Sequence, residues 1–242
     1  MLSAAKKKNL KKLFETLNIN STDELLFDEA LTHPSFNFEV NNSDAPDYER
    51  LEFLGDSVLR LVMSDLLFDY KKDFDEGKLT KIRSYLVSDE FLAKLALTIN
   101  LNEYINVGVH EAKDGGLQKE SILACALEAV FGAIYKSLGY EQAKTCIFNL
   151  YSSVNIDPEE VLVIYNAKEI LQQYTQGKNK DLPVYKVVSE SGFAHNKTYE
   201  VSVSYNGEVL GIGIAKTKKE AEKKSAVSAL IKLGIVKGKK DE

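Results

Sequence analysis

The sequence predicts two domains of different fold class, an all-α domain followed by a small α+β domain with the order α-β-β-β-α. Three observations lead to this prediction. Up to about residue 151, apolar residues recur with the spacing of helices. Three later segments alternate between apolar and polar residues, which is the pattern of strands. The charge also changes sign along the chain, so the two parts differ in composition as well as in pattern.

The first part contains three long segments with helical periodicity, at residues 48–70, 78–99 and 121–138. In the first of them Leu51, Leu54 and Val58 recur at intervals of three or four residues, which places them on one face of a helix. Stretches rich in glycine and acidic residues, 73–77 and 114–116, separate the segments and are typical of turns. No convincing strand is expected in this part.

The second part changes pattern after Tyr151. The expected elements are a helix at 161–174, strands at 185–190, 197–205 and 208–215, and a closing helix at 218–233. Asn206 and Gly207 stand between the last two strands, and this dipeptide predicts a tight hairpin turn because both residues tolerate a positive φ. The second and third strands are therefore expected to be antiparallel neighbours.

Charge divides the chain close to the same point. The predicted boundaries are 1–153 for the helical domain, 154–160 for a linker, 161–235 for the α+β domain and 236–242 for a charged tail. Residues 1–163 carry 17 Lys and Arg against 27 Asp and Glu, whereas residues 164–242 carry 14 Lys against 9 Asp and Glu. An acidic first domain suits metal ions, and a basic second domain suits phosphates. Two ordinary domains with a fluctuation in charge would give the same counts.

Composition limits the class of protein. The chain of 242 residues is 44% hydrophobic and 28% charged, which is ordinary for a globular protein with a packed core. No run of about 18 apolar residues predicts a transmembrane helix, so no membrane is expected as a partner. Cys125 and Cys146 are too few for a disulfide framework, so we expect a reducing cytoplasmic location.

Three carboxylates form a stripe near the start of the first long helix. Glu49, Glu52 and Asp56 fall within an arc of about 60° at about 100° per residue. Like charges at this spacing repel one another, and a divalent cation such as Mg²⁺ would compensate them. Gly55 lies beside them in mid-helix, where glycine often permits another backbone to approach. A solvated acidic face is the alternative explanation.

A single carboxylate stands in the third helical segment. Glu128 is the only charged residue between Ser121 and Gly132. A carboxylate in such apolar surroundings is costly unless it is paired or coordinates a metal ion. A glutamate at the edge of the core, paired with a lysine, would explain the pattern equally well.

Segment 49–57, Glu-Arg-Leu-Glu-Phe-Leu-Gly-Asp-Ser, matches the signature of the ribonuclease III family over nine consecutive residues. Segments 31–35, 75–83 and 120–124 resemble further parts of the same family. The last third of the chain resembles the double-stranded-RNA-binding domain that bacterial members carry. The resemblance therefore covers nearly the whole chain and implies a helical nuclease domain followed by an RNA-binding domain.

The resemblance implies a metal-dependent endoribonuclease in which a homodimer cuts double-stranded RNA, one strand per subunit. The family's metal-binding and catalytic carboxylates match Glu52, Asp56 and Glu128 here, with Mg²⁺ as the expected ion and Mn²⁺ as its substitute. Glu49 and Glu76 match two further acidic positions along the cleft that processes RNA. Structured precursors of rRNA and mRNA are the expected substrates.

Cys125 departs from the family pattern. It stands three residues before Glu128, where the family usually has aspartate. Cysteine is a soft and weakly acidic ligand that suits Mg²⁺ poorly, so we interpret it as a small buried hydrophobe rather than a bound thiolate. We expect slower cleavage or a higher metal requirement. The alternative is a double-stranded-RNA-binding protein that has lost cleavage, and a third interpretation is a structural relative that uses the helical domain as a scaffold.

The final helix carries the residues expected to hold phosphates. Lys218, Lys219 and Lys223 lie close to one face behind Thr217, a predicted N-cap, and helix N-termini and lysines both favour phosphate. By resemblance these lysines form a phosphate clamp. The resemblance also assigns minor-groove contacts to three other residues, Gln172, Gln173 and His195. Such a domain recognises the shape of about 16 base pairs rather than their sequence. A solvated lysine-rich helix is the alternative.

Overall fold

The computed structural model describes residues 2–40, 42, 44–70, 72–154, 157–179, 181–192 and 197–236. The chain divides into two compact units, Met1–Ile156 and Asp157–Glu242. The first unit is helical and the second contains a three-stranded antiparallel sheet with helices, so the predicted fold class is confirmed.

The first unit is built from nine α-helices among the described residues, with 3₁₀ turns at Leu101–Glu103 and Gly116–Gln118. The helices are α1 (Ala4–Leu17), α2 (Glu24–Ala30), α3 (Pro34–Glu39), α4 (Glu49–Tyr70), α5 (Glu76–Leu86), α6 (Asp89–Thr98), α7 (Val109–Lys113), α8 (Glu120–Leu138) and α9 (Tyr140–Ser152). An isolated bridge between Thr32 and Asn106 is the nearest approach to a strand in this described part.

Helix α8 lies at the centre of the first unit. Its Leu127, Phe131 and Ile134 are completely buried, and α4 and α6 both pack against it. By length and apolarity, α8 is the one helix in the described residues that could cross a membrane, but 61% of its apolar window is buried inside the unit. This is the burial of a core helix, and it arises because the other helices cover α8 on several sides.

The segment predicted as one helix at 78–99 forms two helices instead. The break falls after Leu86, where the side chain of Ser88 accepts a hydrogen bond from the backbone N–H of Phe91 at 3.4 Å and caps α6. Asp75 caps α5 in the same way, accepting from the N–H of Lys78 at 2.8 Å. Serine and aspartate favour N-caps because their side chains satisfy the free N–H groups of the first turn. The apolar periodicity on either side of Ser88 had concealed this cap.

The second unit is built from three helices and three strands among the described residues. They are α10 (Pro158–Tyr165), α11 (Ala167–Asn179), β1 (Val184–Ser191), β2 (Thr198–Tyr205), β3 (Glu208–Ala215) and α12 (Lys218–Lys232). The sheet order is β1-β2-β3, with Val201 paired to Val187 on one side and to Gly213 on the other. Asn206 and Gly207 have φ values of 50° and 81°, so the predicted hairpin turn is confirmed.

The start of this unit differs from the prediction of a linker at 154–160 and one helix at 161–174. Helix α10 already begins at Pro158, because proline suits the first helical position and Asp157 accepts a hydrogen bond from the N–H of Glu159 at 2.8 Å. The helix ends at Tyr165 and is followed by Asn166, whose N–H donates to the carbonyl of Leu162 and whose carbonyl accepts from the N–H of Ile170. Asparagine favours such junctions over helix interiors.

Helix α12 packs against β3 at a very short distance. A Cβ atom added to Gly213 would lie 2.2 Å from the carbonyl oxygen of Ala221, and one added to Gly211 would lie 2.3 Å from that of Ser225. Leu171 of α11 and Leu230 of α12 are buried together in the same core. The two glycines therefore set how closely the lysine-bearing helix approaches the sheet.

Candidate functional site

Helices α4 and α8 bring the predicted carboxylates together where they cross. A Cβ atom added to Gly55 would lie only 1.8 Å from the carbonyl oxygen of Glu128, so the two backbones are in direct contact. Gly55 immediately precedes Asp56 and follows Glu52 by one turn. The crossing therefore sets both carboxylates of α4 beside the carboxylate of α8, and the predicted close approach at Gly55 is confirmed.

Electrostatics reveals how crowded these carboxylates are. Glu128 is half-buried, and burial together with the negative charges of Asp56, Glu52 and Asp89 raises its pKa to about 8. The positive charge of Arg60 opposes this rise in pKa. The side chains that repel Glu128 come from two helices, α4 and α6, and we call Glu52, Asp56, Asp89 and Glu128 the acidic cluster.

Asp89 was not predicted from the sequence. It is the first residue of α6, a position where aspartate is ordinary because it favours the helix dipole. Its negative charge also raises the pKa of Cys125. Helix α6 therefore contributes a carboxylate to this region in addition to those of α4 and α8. No local pattern indicates this role, since it depends on the packing of α6 against α8.

Asp56 is engaged by a neighbour on its own helix. The Nε–H of Arg60 lies 2.7 Å from one carboxylate oxygen of Asp56 and 2.9 Å from the other. The pair has the i,i+4 spacing of helical ion pairs, and the hydrogen bond raises the pKa of Arg60. Arg60 was also missed by the sequence analysis. It neutralises one member of the acidic cluster in the conformation described.

Cys125 is a neutral thiol in this site. Its side chain is half-buried, and burial together with a hydrogen bond to Glu52 raises its pKa to about 12. Tyr48 lies nearby, buried before the start of α4, and its pKa is raised by burial and by the negative charges of Glu52 and Glu49. A thiol with this pKa stays protonated at neutral pH, so it offers no negative charge to a cation.

Two further predicted residues lie at the beginnings of helices. Glu49 is exposed at the first residue of α4 and lines a surface cavity with Arg50, Phe53 and Leu54. Glu76 is exposed at the start of α5 and accepts a hydrogen bond from Thr80 at 3.0 Å. The negative charges of Glu49 and Glu52 both raise the pKa of Tyr48. The link between Glu76 and the acidic cluster stays a prediction.

The donor set of the acidic cluster suits a hard divalent cation, because it consists of carboxylate oxygens that repel one another. In the conformation described, no three Asp, Glu, His or Cys side chains of residues 2–236, outside the gaps given above, converge closely enough to hold a metal ion. Both carboxylate oxygens of Asp56 are bonded to Arg60 in this conformation. The residues therefore fit a cation by chemistry, and Arg60 would compete with that cation for the oxygens of Asp56.

The predicted phosphate clamp lies along the first turns of α12. Thr217 caps the helix by accepting from the N–H of Glu220 at 3.2 Å, as predicted. Lys218 pairs with Glu190 at 3.0 Å, whereas the Lys223 ammonium lies 5.1 Å from the centre of the Tyr165 ring. Lys218 and Lys223 thus have different partners, which the sequence pattern did not distinguish.

The predicted minor-groove residues are described in part. Gln172 and Gln173 are exposed on α11, so both are available for binding. His195 lies outside the described residues, and its role stays a prediction.

Comparisons with known proteins agree with this architecture. The chain matches the family model described as Ribonuclease-III-like over residues 23–154, and the double-stranded RNA binding motif over residues 167–233. Among similar proteins, the Ribonuclease 3 of Caldanaerobacter subterraneus subsp. tengcongensis is 39% identical over 225 residues, which cover 93% of this chain and 98% of the relative. The Ribonuclease 3 of Campylobacter jejuni (serotype O:2) is 40% identical over 229 residues, covering 95% of this chain and all of the relative.

Solved structures lead to the same class. The crystal structure of the nuclease domain of ribonuclease III from Campylobacter jejuni is 41% identical, with a TM-score of 0.56, and the match covers 62% of this chain and 99% of that domain. A helical nuclease unit joined to a double-stranded-RNA-binding unit defines an endoribonuclease that acts on duplex RNA. The chain belongs to the ribonuclease III family, as its signature segment had indicated.

Proposed function

We propose that this endoribonuclease cleaves double-stranded RNA with Mg²⁺, or Mn²⁺ as its substitute, held by Glu52, Asp56 and Glu128. The observation that carries the proposal is the backbone contact between Gly55 and Glu128, because it sets carboxylates from two helices side by side. A divalent cation in such a place supplies an activated water molecule and neutralises charge at the scissile phosphate. Glu49 and Glu76 would line the surrounding cleft.

The roles of the protein groups follow from their surroundings. The close crossing of α4 and α8 fixes the backbone of Glu128 beside that of Gly55, so its side chain extends from a defined place next to Glu52 and Asp56. Arg60 pairs with Asp56 in the conformation described. When Asp56 binds the cation, the exposed guanidinium would become available to the negatively charged RNA. Lys218, Lys219 and Lys223, with Gln172, Gln173 and His195, would hold the duplex through its phosphates and minor groove.

Cleavage of long duplex RNA tests the metal site. The parent protein should cut in Mg²⁺ and in Mn²⁺, whereas Glu128→Gln should bind the duplex and leave it intact. Glu141→Gln, on the exposed side of α9, is the matched control and should cut like the parent. If Glu128→Gln cleaves at the parent rate, Glu128 is not part of the site.

A non-cleaving double-stranded-RNA-binding protein is the second candidate, and the neutral thiol of Cys125 favours it. Without the usual aspartate, the metal site has one hard ligand fewer. Tight binding of duplex RNA by the parent without any cleavage, in either metal, would support this candidate over the first.

We also propose that the protein acts as a homodimer in the cytoplasm, on structured precursors of rRNA and mRNA. Phe53 is 78% exposed on α4, beside the cavity that contains Glu49 and Leu54, and so large an exposed apolar side chain favours an interface. Val58, on the same helix, is only 6% exposed and belongs to the core, so it takes no part in this interface. A related nuclease domain from Campylobacter jejuni was studied for flexibility in its region of dimer formation.

Light scattering tests this interface. Phe53→Ser should halve the molar mass measured for the parent dimer. Phe148→Ser removes an exposed phenylalanine from α9 and should leave the mass unchanged. A parent that is already a monomer would contradict the homodimer.

A further inference from the structure

Helix α10 is an addition to the double-stranded-RNA-binding motif. The match to that motif begins at residue 167, after α10 has ended at Tyr165. The helix is nevertheless part of the second unit, because Val161 is only 2% exposed and Val163 packs against the core formed by α11, the sheet and α12. An extension anchored in this way holds its last residue in a fixed place.

That last residue faces the lysine-bearing helix. Tyr165 is 44% exposed, and the Lys223 ammonium lies 5.1 Å from the centre of its ring. Tyr165, Lys219 and Lys223 line one cavity of about 470 Å³ together with Thr217, the N-cap of α12, and with Glu169 and Glu220. Lys219 and Lys223 are four residues apart, so they lie on the same face of the helix.

The contact between Lys223 and the Tyr165 ring leaves the charge of the lysine uncompensated. Lys218 is paired with the carboxylate of Glu190, and Lys168 with that of Glu222 at 2.6 Å, so a phosphate must compete with an anion at both. An aromatic ring attracts an ammonium through its quadrupole and carries no net charge. The ring therefore restricts Lys223 without neutralising it.

We propose that Tyr165 is a positioning residue for RNA binding, whose ring holds the Lys223 ammonium beside Lys219 where it meets a phosphate of the duplex. Restricting a lysine side chain before binding lowers the conformational entropy that is lost when the phosphate is bound. Helix α10 thereby becomes part of the RNA-binding surface. This inference rests on the binding of double-stranded RNA by the second unit.

Binding of a short RNA duplex by the full chain, in EDTA so that the duplex stays intact, tests this role over a range of salt concentrations. Lys223→Ala should lower the slope of log affinity against log salt by about one, the loss of one phosphate contact. Tyr165→Ala should weaken binding about two- to fivefold, the contribution of an exposed cation–π contact. Lys224→Ala, which removes the adjacent and exposed lysine, is the charge-matched control.

Three further variants separate positioning from packing. Tyr165→Phe keeps the ring and should bind like the parent, whereas Tyr165→Leu fills the space without a ring and should bind like Tyr165→Ala. The double variant Tyr165→Ala/Lys223→Ala should bind no more weakly than Lys223→Ala alone, because the ring acts through that lysine. Thermal unfolding of each variant shows whether α10 remains in place.

The results that would contradict the role of Tyr165 can be distinguished from those that would contradict RNA binding itself. If Tyr165→Leu binds like the parent, or if the losses in the double variant add, Tyr165 does not act through Lys223. Parent-like or tighter binding by Tyr165→Ala, beside weakened binding by Lys223→Ala, would overturn the inference and leave RNA binding by the lysines intact. A parent that fails to bind duplex RNA would overturn both.

Discussion

Gly55 of α4 and Gly132 of α8 face each other where the two helices cross, and a Cβ atom added to Gly55 would lie 2.9 Å from the backbone nitrogen of Gly132. A Cβ atom on Gly132 would in turn lie 2.3 Å from the carbonyl oxygen of Leu51. Contacts this short are possible only because neither residue has a side chain. The same crossing holds Asp56 and Glu128 beside each other, so the packing of the core and the geometry of the acidic cluster have one cause.

Gly55→Ala should therefore damage stability and cleavage together. The new methyl group would lie 1.8 Å from the Glu128 carbonyl oxygen, and the resulting separation of the helices should lower the free energy of unfolding by about 1–3 kcal/mol. Urea unfolding and duplex cleavage measure the two effects. Gly77→Ala, where the nearest atom is an Asp75 oxygen at 3.5 Å, is the control and should not destabilise. Parent-like stability of Gly55→Ala would contradict the close crossing.

Gly213→Ala should act on the RNA-binding unit alone. Its methyl group would lie 2.2 Å from the Ala221 carbonyl oxygen, which forces α12 away from the sheet and displaces the lysines at its start. We expect weaker duplex binding, with a loss of about 1–3 kcal/mol in the stability of that unit. Gly177→Ala, on α11 with no atom within 4 Å of the new group, should leave both unchanged or slightly improved.

Arg60→Met should strengthen metal binding. The substitution removes the guanidinium that bonds both oxygens of Asp56, so a cation no longer competes with it. The apparent dissociation constant for Mn²⁺, measured by calorimetry without RNA, should fall. Stability should change by less than about 1 kcal/mol, as expected for an exposed i,i+4 pair. Lys94→Met breaks the pair with Glu90 at the same spacing and serves as the control. A similar fall in the dissociation constant for Mn²⁺ in that variant would contradict the explanation.

Cys125→Asp should accelerate cleavage and lower the metal requirement. The substitution replaces a neutral thiol, whose pKa is about 12, with a hard anionic ligand beside Glu128. We expect a gain on the order of tenfold in the cleavage rate at limiting Mg²⁺. Cys146→Ser, which changes the other free cysteine, controls for the loss of a thiol. Unchanged rate and metal dependence in Cys125→Asp would refute the effect of this residue.

His33 should make the first unit sensitive to acid. Its Nδ1 accepts a hydrogen bond from the Ser35 N–H at 3.1 Å, and burial lowers its pKa below the ordinary value of 6.5. The folded protein therefore binds fewer protons than the unfolded chain in this range, so stability present above pH 6.5 is lost as the pH falls. His33→Asn keeps a capping side chain without the titration, and its unfolding free energy should fall less between pH 7 and pH 5. Equal losses would contradict this prediction.

Much of the fold could be predicted because its signals are local. Helix α12 begins at Lys218 as predicted, since Thr217 caps it, and the hairpin turns at Asn206 and Gly207 because both adopt a positive φ. The errors arose where one local signal hid another. Apolar periodicity continues across Ser88 and conceals the start of α6, and the helix α10 begins at Pro158, inside the predicted linker.

Residue types and their order along the chain determined the two fold classes, the family signature at 49–57 and the carboxylates of the predicted site. Tertiary structure alone decided that Gly55 packs against Gly132 and that Asp89 joins the acidic cluster. It also decided that Phe53 is exposed while Val58 is buried. The physical reason is the separation along the chain over which each kind of interaction acts. Capping, turns and periodicity act within a few residues, whereas the approach of α4, α6 and α8 depends on side chains far apart in sequence that only the packed core brings together.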